Sequence, residues 1–212
     1  MATPIYYQAA QRYFGASCTS PLALITYQFQ TTCTGTNVTA PQPCLVSAPF
    51  ATQSICVTDY QKNGAATFGS FAYAEVVIHS TPDCSSKTNI VGVRQYALNS
   101  IFQWGVNDKN QVIAGVNLYR PERKELLLGR CKDTTCGTVF SDVSDTFPAD
   151  GRTCYRPADL FNPGTYVVTT IYNPGSAKPA AVSSPSFAKS SSGSGLAPFA
   201  VSVVSLLLAL TI

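Results

Sequence analysis

Phe71-Ala72-Tyr73-Ala74-Glu75-Val76-Val77-Ile78 is the stretch on which the fold class turns. Aromatic and β-branched side chains suit a pleated, half-buried surface better than a helix. With a two-residue period, Tyr73, Glu75 and Val77 fall on one face of a strand, and Ala72, Ala74, Val76 and Ile78 on the other. Ala23–Phe29, Val112–Tyr119 and Thr165–Tyr172 share this composition, so each reads as a strand. Turn signals lie between them. Asn63-Gly64 predicts a tight hairpin, Asn107–Asn110 a longer one, and Asn162-Pro163-Gly164 and Asn173-Pro174-Gly175 bracket the last strand. Helical spacing with caps is scarce apart from a turn around Pro121 to Leu127. The expected fold class is all-β: a small, disulfide-rich, sandwich- or barrel-like body.

The body spans residues 1–173, enough chain to bury one ordinary core. It reads as one unit or as two, roughly 1–66 and 67–173. The second option comes from a similarity between Arg12–Ser20, around Cys18, and Val77–Ser86, around Cys84. Each places a strand, a turn, a cysteine and small hydroxyl residues in the same order, and a strand ending in Tyr27 or Tyr96 follows.

Eight cysteines, Cys18, Cys33, Cys44, Cys56, Cys84, Cys131, Cys136 and Cys154, all lie in the body. An even count spread this way predicts disulfides and an oxidising compartment. Cys-x-x-Cys pairs are absent and His79 is the single histidine, so the usual zinc spacings do not arise. Asp142, Asp145 and Asp150-Gly151 do not match a calcium loop. No metal or cofactor is expected. Asn37-Val38-Thr39 is an N-glycosylation sequon within loop-like sequence.

Charged residues make up 12% of the chain, where about a quarter is typical, and the net charge is +3. A surface built from Ser, Thr, Asn and Gln suits the cell exterior, and so small a net charge gives no case for nucleic acid. The densest basic group is Arg120, Arg123, Lys124, Arg130 and Lys132, interspersed with Glu122, Glu125 and Asp133. It is the candidate surface for an anionic polysaccharide or for lipid head groups, and Trp104 adds an aromatic that could stack on sugar rings of a cell-wall or extracellular polysaccharide.

Residues 174–195 are rich in Pro, Ser and Gly and read as a disordered stalk. Residues 196–212 are uncharged and apolar. As a helix they would extend about 25 Å, short of the roughly 30 Å hydrocarbon core. With Ser191, Ser192 and Gly193 just upstream, the tail reads as a glycolipid-anchor attachment signal, Ser192 being the favoured attachment residue and Ser191 or Gly193 its neighbours. The polar spacer is shorter than usual. Met1–Arg12 shows no basic start followed by an apolar stretch, which gives the expectation of a trimmed or misassigned secretion signal.

Catalytic patterns are weak. His79 has Ser80 and Asp83 nearby but no nucleophile elbow, so it reads as a polar strand exit. Glu75, with Asp59 or Asp108 as partner, is the carboxylate pair a glycosidase would require, although strand alternation already accounts for Glu75. No catalytic residue is assigned. The layout resembles small anchored surface and wall proteins in architecture only. The leading expectation is a glycolipid-anchored cell-surface or cell-wall glycoprotein with a structural, adhesive or glycan-binding role. The alternatives are a surface-anchored carbohydrate-active hydrolase and a secreted inhibitor or effector displaying the Cys131–Cys136 loop.

Overall fold

The computed structural model describes residues 6–15, 17–30, 41–47, 50–106, 112–131, 145–157 and 163–173. Eleven strands are β1 (Tyr6–Phe14), β2 (Leu22–Gln30), β3 (Leu45–Ser47), β4 (Phe50–Val57), β5 (Tyr73–His79), β6 (Ile90–Ala97), β7 (Ser100–Val106), β8 (Val112–Arg120), β9 (Glu125–Arg130), β10 (Asp145–Pro148) and β11 (Tyr166–Tyr172). One helix, α1 (Tyr60–Phe68), follows β4, and a 3-10 turn at Lys87–Asn89 precedes β6. The strands form a seven-stranded sheet of order β11-β5-β6-β2-β1-β4-β3 and a four-stranded sheet of order β10-β9-β8-β7. All pairings are antiparallel. The expected β class and sandwich-like layering are thus present, and each of the four strands read from sequence forms within about two residues of its expected ends.

Two expectations about turns are corrected. Asn63-Gly64 lies inside α1, not in a hairpin. Asp59 caps this helix, its carboxylate accepting from the Lys62 N–H at 3.0 Å. Gly69 ends it with φ of +59° and an N–H donated to the Ala65 carbonyl, a positive-φ conformation that glycine takes at least cost. Residues 121–124 form the tight turn of the β8–β9 hairpin, Arg120 facing Glu125, so the segment around Pro121–Leu127 is a hairpin and not a helical turn.

The seven-stranded sheet repeats one arrangement twice, in the same chain order. β1–β2 and β5–β6 are hairpins with a register shift at matching places. Tyr13 faces Leu22 and Arg12 faces Leu24 in the first; His79 faces Ile90 and Ile78 faces Gly92 in the second. Each hairpin loop carries a disulfide cysteine, bonded to a residue just before a short outer pairing. Cys18 bonds Cys44 ahead of Leu45, which faces Thr52 of β4; Cys84 bonds Cys154 ahead of Tyr155, which bridges to Val167 of β11. β4 lies outside β1 as β11 lies outside β5. The two repeats of this arrangement, called the first and second unit, adjoin along β2 and β6 of the same sheet, where Thr26 faces Arg94, and an approximate two-fold axis passes through that pair. β7–β10 lie between β6 and Cys154 in the second unit, so its disulfide spans 70 residues and that of the first only 26.

Both faces of β5 are covered. Ala72, Ala74, Val76 and Ile78 pack with Leu126, Leu128 and Phe147 of the four-stranded sheet and with Val167. Tyr73 and Val77 point to the opposite side, where Ala9, Ile25, Tyr27, Val93 and Phe68 of α1 form a second cluster. The order is therefore helix, large sheet, small sheet, with the small sheet packed on the second unit. Among the described residues no helix is long and apolar enough to cross a membrane.

Candidate functional site

Under α1 lies the only buried carboxylate among the described residues. Glu75 shares the strand face of Tyr73 and Val77, as its spacing predicts, but that face is roofed by the helix and Glu75 is 2% exposed. Its Oε2 accepts from Gln95 Nε2 at 2.8 Å, and its Oε1 accepts from Gln61 Nε2 at 3.4 Å and from the Tyr172 hydroxyl at 3.3 Å. Burial raises the Glu75 carboxyl above its ordinary value, and these three hydrogen bonds act against it. Burial, followed by the Glu75 charge, pushes Tyr60, Tyr73 and Tyr172 each up to about 12.

Gln95 is the hub of the network. Fully buried, it also accepts at Oε1 from the Tyr27 hydroxyl at 2.8 Å and donates to the Tyr60 carbonyl at 3.4 Å. Asn63 Nδ2 in turn donates to the Tyr27 hydroxyl at 2.9 Å. The helix comes this close because residue 64 is glycine: a Cβ there would meet the Gln95 amide, its Cδ at 2.6 Å. Tyr60, Gly64 and Phe68 form the stripe that α1 lays on the sheet. Every named donor to Glu75 comes from the sheet or the helix, so the carboxylate fastens one to the other. Asp59, its considered partner, is spent on the helix cap and on Lys62, whose Nζ lies 3.9 Å away. Asp108 lies outside the described residues.

The remaining candidates are scattered. His79 is 3% exposed, with Nδ1 lacking a hydrogen-bond partner. Burial lowers its pKa, opposed by Asp83 and by a hydrogen bond with the Ser86 backbone. The exposed Asp83 accepts from Ser85 at 2.6 Å, and the Ser80 hydroxyl donates to the Asn89 carbonyl at 3.3 Å. His79, Ser80 and Asp83 therefore have separate engagements. Arg120 ends β8, Arg123 and Lys124 sit in the exposed turn after it, and Arg130 lies at the far end of β9, paired with Gly115. Trp104 is the residue left over where the β7–β8 register shifts between Gln103 and Gly105, a bulge in β7. Cys56 and Cys131 are disulfide-bonded. Lys132, Cys33, Cys136, Asn37, Ser191, Ser192 and Gly193 lie outside the described residues, as do the stalk and tail. Among the described residues no group of three or more His, Cys, Asp or Glu is placed to hold a metal.

The other notable surface was not marked out by any motif. In the first unit, the face equivalent to the one covered by the small sheet carries Gln8, Ala10 and Arg12 of β1, Leu24, Thr26 and Gln28 of β2, and Thr52 and Ser54 of β4. Gln8, Arg12 and Gln28 are exposed and the others partly so. The second-unit positions that match those of β1 and β4 are Ala74, Val76, Ile78, Val167 and Thr169, all buried, while those that match β2 are Gly92, which is buried, and Arg94 and Tyr96, which are partly buried. The Arg12 guanidinium lies over the Phe50 ring, 5.1 Å from its centroid. Tyr96 borders the two halves. It packs against the covered core, and burial raises its pKa, while Arg94, hydrogen-bonded to it, and nearby Arg12 act in the opposite direction. Arg12 and Arg94 are the sole charged residues in β1, β2, β3, β4 and β6, a compositional signal visible once the strands are assigned. No family model, curated protein or solved structure matches the chain.

Proposed function

We propose that this chain is a secreted surface glycoprotein, glycosylated at Asn37, carried on the 174–195 stalk and tethered by a glycolipid at Ser192, or at Ser191 or Gly193, whose body engages glycans without catalysis. Its disulfides fit an extracellular or secreted environment. The observation that carries the binding role is the contrast between the two units. The second unit buries an apolar face under the small sheet, while the first presents hydroxyls, amides and a guanidinium at equivalent positions to solvent. Surfaces rich in amides and hydroxyls, with an aromatic below a cation, suit sugar hydroxyls. Glu75, the residue on which a hydrolase would depend, is held between helix and sheet by three donors.

Expression of the full chain behind a secretion signal in a eukaryotic cell, followed by a phospholipase that cuts glycolipid anchors, tests the tether. Release into the medium is expected, and a Ser192→Leu variant should shift or reduce it. Retention of the untreated chain's membrane association after the enzyme would withdraw the tether. Turnover of any polysaccharide that disappears in Glu75→Gln, with the fold intact, would replace the binding role by hydrolysis.

A further inference from the structure

We infer that the open face of the first unit is a binding site for an anionic polysaccharide, one bearing carboxylates or sulfates, with Arg12 as its principal contact. The inference rests on the glycan-binding role proposed above and specifies its ligand class. Charge complementarity carries it. Residues 1–58 contain one charged side chain, Arg12, and it lies exposed on this face. Arg94 joins it from β6, on the same face by register: Arg12 faces Leu24, Leu24 faces Tyr96, and Thr26 faces Arg94. Two strand spacings separate β1 from β6, about 10 Å, within the span of neighbouring sugar residues along a polymer. The floor between them is Ala10, Leu24 and Thr26, with Gln8, Gln28, Thr52 and Ser54 around it, so amides and hydroxyls accompany the cations. Within residues 1–80 the acids are Asp59 and Glu75, and both belong to the helix side of the sheet. A positive potential on an exposed face attracts polyanions. Arg12 is held in place by its Phe50 stacking, which lessens the ordering cost of a contact.

The β8–β9 turn, with Arg123 and Lys124, makes an internal comparison, because Glu122 and Glu125 accompany those cations. The test is retention of the purified full chain on immobilised polygalacturonate and dextran sulfate, against neutral dextran and vesicles of phosphatidylcholine with phosphatidylserine. Wild-type protein should be held by at least one polyanionic polysaccharide and be released by salt. Arg12→Gln should weaken binding about fivefold, the factor an exposed ion pair of roughly 1 kcal/mol provides. Arg12→Lys should recover part of it, and Arg123→Gln with Lys124→Gln should leave it unchanged. Circular dichroism verifies that each variant is folded. Unchanged retention in Arg12→Gln, loss only in the turn variant, or equal binding to the anionic vesicles would overturn the site. Retention on neutral dextran alone would also overturn it while leaving the glycan-binding role standing; absence of retention on every polysaccharide removes both.

Discussion

Gly64→Ala is the sharpest probe of how α1 is seated, because local and tertiary physics give opposite signs. In an isolated helix interior the alanine gains about 0.5–1 kcal/mol over glycine. In this fold the added methyl meets Oε1, Nε2 and Cδ of Gln95, the last at 2.6 Å. The amide is the end of a flexible side chain, but it bonds Tyr27, Glu75 and the Tyr60 carbonyl and has no exposed surface into which to swing. Either the helix lifts, loosening the Phe68 and Tyr60 packing, or the amide turns and leaves a buried partner unsatisfied. Overpacking costs about 1–3 kcal/mol, and a broken bond to a buried group adds at least about 1 kcal/mol. Less the helical gain, the net loss is about 2 kcal/mol. At roughly 2–4 °C per kcal/mol for a chain of this size, melting falls by about 4–8 °C. Thermal unfolding with disulfides intact, followed by far-UV circular dichroism, measures it. In a Gln95→Ala background the same change should become neutral or stabilising, a coupling of about 2 kcal/mol in the cycle. A higher melting temperature for Gly64→Ala in the wild-type background would refute the close seating of α1 on Gln95.

Two further outcomes follow from the same structure. Burial raises the Glu75 pKa above its ordinary 4.5, so above that pH the folded state holds a proton that the unfolded chain has released, and this residue makes stability fall as pH rises towards the folded value. Urea midpoints of wild type relative to Glu75→Gln should therefore decline from pH 4.5 upward; a relative midpoint that rises with pH contradicts the buried, desolvated carboxylate. Loop-closure entropy gives about 3.5 kcal/mol for the Cys18–Cys44 bridge, which spans 26 residues, and about 4.4 kcal/mol for Cys84–Cys154, which spans 70. Replacing the second pair by alanine should accordingly lower the unfolding free energy from denaturant titration further than replacing the first, by about 1 kcal/mol; the reverse order would mean that the inserted small sheet holds the second loop closed without its disulfide.

What could be read along the chain is what depends on neighbours in sequence. The period-two pattern of Phe71–Ile78 placed Tyr73, Glu75 and Val77 on one face and the alanines, Val76 and Ile78 on the other, as they stand. The cysteine count pointed to disulfides, and the described bridges are Cys18–Cys44 and Cys84–Cys154. Pairing across the sheet is non-local, and its energy resides in contacts such as Thr26 with Arg94 that no sequence window contains. For that reason the joining of β2 to β6, and the open face it leaves beside Arg12, emerged only in three dimensions.

Tyr60–Phe68 shows the division most clearly. Asn63-Gly64 carries a strong turn preference and Thr67 and Tyr60 a weak helical one, so local propensity argued for a hairpin. The helix forms because Asp59 caps it and because Tyr60, Gly64 and Phe68 bury a stripe on the sheet, repaying with packing what propensity withholds. Glu75 follows the same logic. Its sequence determined the strand face to which it points, from the geometry of the pleat; whether that face meets water or a helix depended on where α1 came to rest, and only the tertiary fold decided it.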